Sequence, residues 1–124
     1  VDAGTIELVR DCGAAVVSSG DLVQQFEAIW PAGGLATHRA ASEALYRIKD
    51  RAFDLIARRL RDRVPTTEYD IQSAMMTWFG EEGLVTDSAP IVASQENAGD
   101  PHYQPTATAS RPIGPNEVVL LDLW

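Results

Sequence analysis

The sequence predicts an α+β fold, and three observations carry that reading. Apolar residues recur at spacings of three and four over residues 35–62 and again over 71–79. The period changes from 3.6 to 2 after Gly83, and a dense apolar run, VVLLDLW, occupies residues 118–124. With 124 residues, 45% of them hydrophobic and 23% charged, and a mean hydropathy of -0.11, the chain has the profile of one soluble domain with one core.

At the start, residues 5–10 (TIELVR) and 14–18 (AAVVS) are short β-branched runs on either side of Asp11, Cys12 and Gly13. They read as two short strands around a turn, or as one strand and an irregular segment. Ser18, Ser19, Gly20 and Asp21 offer N-cap chemistry for a short helix over residues 22–29, with Leu22, Phe26 and Ile29 on one face. Trp30, Pro31, Ala32, Gly33 and Gly34 then form the best boundary in the sequence, because Pro and paired Gly disfavour a continuing element.

Residues 35–62 predict a helix roughly 40 Å long, with Ala41, Leu45, Ile48, Ala52, Leu55, Ile56 and Leu60 on its apolar stripe. Its charged residues, among them Glu43, Arg47, Asp50, Asp54 and Arg58, read as a solvated face. Val64 and Pro65 end it. Thr67 with Asp70 three residues on is a weak capping box for a second helix, with stripe Ile71, Ala74, Met75, Trp78 and Phe79 and a stop at Gly83. Residues 90–94 (PIVAS) read as a strand, followed by a turn-rich stretch containing Asn97, Gly99, Asp100 and Pro101. The run 118–124 is apolar on both faces and is expected to lie centrally in a sheet covered on each side.

Charge is unevenly divided. Residues 1–63 hold nine acidic and nine basic side chains, whereas residues 64–124 hold nine acids and one base, Arg111, so the second half carries the whole net charge of -8. A phosphate-binding surface there is disfavoured, since nucleic-acid affinity rests on Lys and Arg. A cation site stays open. Cys12 is the single cysteine, which excludes a disulfide framework and suits a reducing, cytoplasmic setting. No apolar run approaches the ~20 residues that span a bilayer, and no signal-peptide plan opens the chain. Expected partners therefore include neither nucleic acid nor membrane.

Asp122 breaks its local pattern. Five of the other six residues in 118–124 are aliphatic and the sixth is Trp124, so a carboxylate there is costly unless a cation or donors meet it. The plainer alternative is an exposed residue at a strand end. The other eight acids of this half are most simply solvated surface. His102 follows a flexible loop and is either a surface residue or a proton-handling one. His38 lies within the charged face of the long helix, and Cys12 has no partner in sequence that would activate a thiol. Phosphate-loop, Cys-x-x-Cys, His-Glu-x-x-His and Gly-x-Ser-x-Gly signatures are absent.

The order of these pieces resembles a known family. A long helix, a second helix capped at Thr67, Glu68 and Tyr69, the PIVA strand, then NAGDPHY over residues 97–103 and VVLLDLW over 118–124 look like the start of the pita-bread catalytic domain of creatinase, prolidase and aminopeptidase P metallopeptidases. The likeness covers about residues 30–124, and the preceding stretch resembles the end of an N-terminal domain. The resemblance implies residues 1–30 as the end of that domain with its connecting helix. Residues 31–124 would be the first, incomplete part of the catalytic domain, two amphipathic helices packed on a partial antiparallel sheet.

The same resemblance implies hydrolysis of an N-terminal residue from a peptide, often with Pro next, by two divalent metal ions (Mn, Co or Zn) held by two Asp, one His and two Glu. Asp122 matches the first Asp ligand, and His102 matches the substrate-side His, which is not a metal ligand. The remaining four ligands are expected after Trp124, so the chain is read as a piece of a longer protein, inactive alone and binding no metals by itself. An uncovered strand at 118–124 is expected to favour a homodimer or other self-association. A creatinase-like reaction on a small amide, or a non-catalytic binding role, are the alternatives.

Overall fold

The computed structural model, which describes residues 1–124, ends its longest helix shortly before Val64 and Pro65 and begins the next directly after Thr67. The chain divides into two compact units, Val1–Ala36 and Thr37–Trp124.

In the first unit, helix α1 (Ala3–Asp11) replaces the strand expected at residues 5–10, and residues 14–18 form no strand. The reason is local. Asp2 accepts hydrogen bonds from the Thr5 backbone N–H at 2.9 Å and the Thr5 hydroxyl at 2.8 Å, an N-cap that a short β-branched run cannot outweigh. Gly13, at φ +83°, takes the left-handed conformation just past the helix end, where a glycine is favoured. Helix α2 (Gly20–Glu27) begins two residues earlier than expected, and neither α1 nor α2 buries a residue.

Helix α3 (Ala32–Arg61) starts directly after Pro31, so Gly33 and Gly34 lie in its first turn and do not interrupt it. The Leu35 N–H donates to the Pro31 carbonyl at 3.1 Å, closing that turn, and the break between α2 and α3 covers residues 28–31.

In the second unit, Ala44, Ile48, Ala52 and Ile56 form the buried row of α3, each four residues from the last. The helix ends at Arg61, and Thr67 caps α4 (Glu68–Glu81). The capping box is complete: the Asp70 N–H donates to Thr67 Oγ1 at 3.2 Å and the Thr67 N–H donates to Asp70 Oδ2 at 2.8 Å. From α4, Ile71, Met75 and Phe79 enter the core, while Ala74 and Trp78 are half-buried and Gly83 (φ +68°) closes the helix as expected.

Some charges of α3 also cross to α4. Arg47 pairs with Glu82 at 2.7 Å, Arg51 with Glu81 at 3.0 Å, and the Arg51 guanidinium lies 4.4 Å from the Trp78 ring centroid. The expected solvated face is therefore in part an inter-helix seam.

Strand β1 (Ile91–Ser94) pairs antiparallel with β2 (Val119–Asp122), placing Ile91 opposite Asp122 and Ser94 opposite Val119. Val92 from β1 and Ile113 complete the core of Ile48, Ala52, Ile56, Ile71, Met75 and Phe79, with Val119, Leu121 and Leu123 packed against it. The expectation of a central strand covered on both faces is corrected here. β2 has β1 as its one neighbour, and its residues alternate between half-buried Val119 and Leu121 and exposed Leu120 and Asp122. An apolar composition permits burial on two faces but does not supply the second layer. No helix is long and apolar enough to cross a membrane.

Candidate functional site

The buried polar centre of the second unit is Glu68, which stands at the first position of α4 with no exposed surface. Burial of a carboxylate demands donors, and five groups provide them. Oε1 accepts from the Ser94 N–H at 2.6 Å and the Ser94 hydroxyl at 3.0 Å, and Oε2 accepts from the Arg111 N–H at 2.7 Å. Asn97 Nδ2 lies 3.1 and 3.2 Å from the two oxygens, and the Tyr103 hydroxyl donates to Oε2. Burial pushes the Glu68 carboxyl up, but the hydrogen bonds from Tyr103, Arg111, Ser94 and Asn97 outweigh it and hold it below the ordinary glutamate value. Burial, with the Glu68 hydrogen bond and charge behind it, pushes the Tyr103 hydroxyl up to about 12.

Arg111, the one base of the acidic half, is fully engaged. Its guanidinium forms a two-pronged pair with Glu117, both contacts at 2.7 Å, and reaches Glu96 at 3.1 Å and the Ser94 hydroxyl at 3.2 Å. The Arg111 hydrogen bonds to Glu117, aided by the Gly114 N–H, lower the Glu117 carboxyl to about 2. These acids correct the expectation that all but Asp122 are solvated surface: Glu68 is buried and the Glu117 side chain is only 16% exposed.

His102 sits in the loop that these contacts tie down. The loop opens with Gln95, at φ +52°, whose N–H donates to the Val118 carbonyl at 3.0 Å and whose side-chain oxygen accepts from the Val118 N–H at 3.2 Å. A 3-10 turn, Gln95–Gly99, follows, and Asp100 then accepts from the His102 N–H at 2.9 Å through Oδ1 and from the Tyr103 N–H at 3.1 Å through its carbonyl. The residue itself is exposed.

Asp122 closes β2, exposed on the strand face opposite Leu121 and Leu123, which pack on the core. The register places it beside β1, and no hydrogen bond or ion pair joins it to His102. A carboxylate presented on an open sheet face can meet a cation. A dinuclear centre needs several ligands, and no group of three or more His, Cys, Asp or Glu side chains is placed together to hold a metal ion. Cys12 is free and exposed, and His38 lies in α3.

Sequence reasoning missed Glu68, Tyr103 and Glu117. Glutamate in the first turn of a helix is ordinary, since it suits the helix dipole, and nothing local marks it as buried. The usable signal was Arg111, a single cation among nine acids and hence a residue that must be paired.

Two helices on an antiparallel strand pair, with the Asp122 carboxylate displayed on the open strand face, make this an α+β fold. Compared with models of known families, residues 38–124 match metallopeptidase family M24, and the chain belongs to that family. Among curated proteins, none matches the chain. Members of the family are typically dinuclear metal enzymes, which points to metallopeptidase-type function.

Proposed function

We propose that this chain forms the first part of the catalytic domain of an Xaa-Pro-type aminopeptidase or dipeptidase, in the creatinase, prolidase and aminopeptidase P branch of the family. Residues 1–30 would belong to the end of a preceding domain and residues 31–124 to the pita-bread domain. The observation that carries the reading is Asp122, a carboxylate at the end of an aliphatic strand and displayed on its open face, within the region that matches the family. Asp122 serves as one metal ligand. His102, exposed on a loop fastened at both ends, serves as the substrate-side group, hydrogen-bonding the peptide or passing a proton. The other ligands come from outside these residues, so the 124 residues alone are inactive. A peptide is the substrate, and the protein self-associates, as a homodimer or otherwise, in the cytoplasm.

The test uses a chain that supplies the remaining ligands, loaded with Mn²⁺ or Co²⁺ and assayed on Xaa-Pro peptides. Asp122→Asn is expected to lower metal affinity and hydrolysis by about 100-fold or more. Full metal stoichiometry and full activity in that variant would overturn the assignment. Hydrolysis of small amides in place of peptides would move the protein to the creatinase-like reaction.

A further inference from the structure

Glu68 is fully buried, and three of the residues that donate to it, Ser94, Asn97 and Tyr103, bracket the loop in which His102 stands. The fourth, Arg111, donates through its backbone, so the carboxylate also grips the segment that leads toward β2. Tyr103 directly follows His102, and the His102 N–H is itself fixed by Asp100. The backbone of His102 is thus held on both sides while the residue stays exposed. A carboxylate serving only as a helix cap would be expected to satisfy donors of its own first turn. In α4 that task belongs to Thr67 and Asp70, and all five donors to Glu68 come from beyond the helix.

We propose that Glu68 is a positioning residue: its buried carboxylate gathers Ser94, Asn97 and Tyr103 and thereby sets the place of His102 for the peptide. This rests on the reading of His102 as the substrate-side group. Glu68 itself touches no substrate. Its particular quality is that it accepts from every side, which a glutamine of equal size cannot do. Whichever way the Gln amide is turned, its NH₂ faces either the Ser94 or the Arg111 backbone N–H, and neither can rotate to become an acceptor.

The first arm of the test measures ¹⁵N relaxation on the 124-residue chain, in the unmodified protein and in Glu68→Gln. Order parameters over residues 97–103 are expected to fall from about 0.85 to below about 0.6, while α3 and α4 keep rigid values. Unchanged order in the loop, or an equal loss throughout the helices, would overturn the proposal. Should Glu68→Gln fail to fold, Tyr103→Phe decides, with a smaller loss confined to the same residues expected.

The second arm measures kcat/KM for an Xaa-Pro peptide in the metal-loaded protein that carries the remaining ligands. Glu68→Gln is expected to lower it at least tenfold, and to lower it no further when His102 is already Ala. Losses that simply multiply would show that Glu68 acts on stability and not through His102, overturning the proposal. A His102→Ala variant with undiminished kcat/KM would overturn the substrate-side reading instead, and the relaxation arm would still decide whether Glu68 orders the loop.

Discussion

The Tyr103 hydroxyl donates to the buried carboxylate of Glu68 across 35 residues of chain, joining the His102 loop to the first turn of α4. Removing that hydroxyl leaves a buried anion with one donor fewer. Tyr103→Phe is expected to cost about 1.5–3 kcal/mol, the range for hydrogen bonds to charged groups, measured by urea unfolding at neutral pH. A loss below about 0.5 kcal/mol would show that the remaining donors suffice.

The same contact has a signature in alkali. The Tyr103 hydroxyl is pushed up to about 12, against about 10 for an unfolded tyrosine. A group whose pKa is raised on folding stabilises the protein fully below the unfolded value, and that stability is lost as pH rises through the folded value. Stability should therefore decline between about pH 10 and 12, and the late phenol ionisation of Tyr103 should disappear from the ultraviolet titration of Tyr103→Phe. A single transition near pH 10 in the folded protein would contradict it.

In acid the sign reverses. The carboxyls of Glu68 and Glu117 lie below their unfolded value of about 4.3, Glu117 at about 2. Their contribution is complete above the unfolded value and is lost as pH falls through the folded one. Urea midpoints should thus drop between about pH 5 and 2, and Glu117→Gln should flatten the drop. An unchanged slope in that variant would assign acid sensitivity to other carboxylates.

The core gives a clean contrast. Met75 has no exposed surface and lies among α3, α4 and β1 residues, whereas Tyr46 is 64% exposed. Met75→Ala is expected to cost about 2–5 kcal/mol and Tyr46→Ala within about 0.5 kcal/mol, both read from chemical denaturation. Equal costs would mean that the α3 face bearing Tyr46 is covered in solution.

Much of this architecture is legible in the sequence wherever the signal is local or periodic. The rows through Ile48 and Ile71, the Thr67 and Asp70 box and the Gly83 stop all depend on residues a few positions apart. Residues 5–10 mislead because a short β-branched run fits strand and helix alike, and the Asp2 cap decides between them. Glu68 escapes notice because its donors lie 26 to 43 residues away, a distance no spacing rule spans. His102 and Asp122 are legible only as short motifs in a given order. The fold adds their placement, one on a tethered loop and one on an open strand face.

Arg111 offers the sharpest separation of roles, because it serves two carboxylates by different atoms. Its guanidinium holds Glu117, whereas its backbone N–H holds Glu68. Arg111→Ala removes the first and keeps the second. The Glu117 carboxyl should therefore climb from about 2 toward the ordinary value near 4.3, with the Gly114 N–H retaining part of the depression. Glu68 should stay below its ordinary value, since the variant touches it only through the Ser94 hydroxyl that the guanidinium also meets. Carboxyl ¹³C titration by NMR reads both groups in one experiment. A parallel rise of Glu68 would show that the guanidinium, and not the ring of hydrogen bonds, is what keeps that buried carboxylate charged.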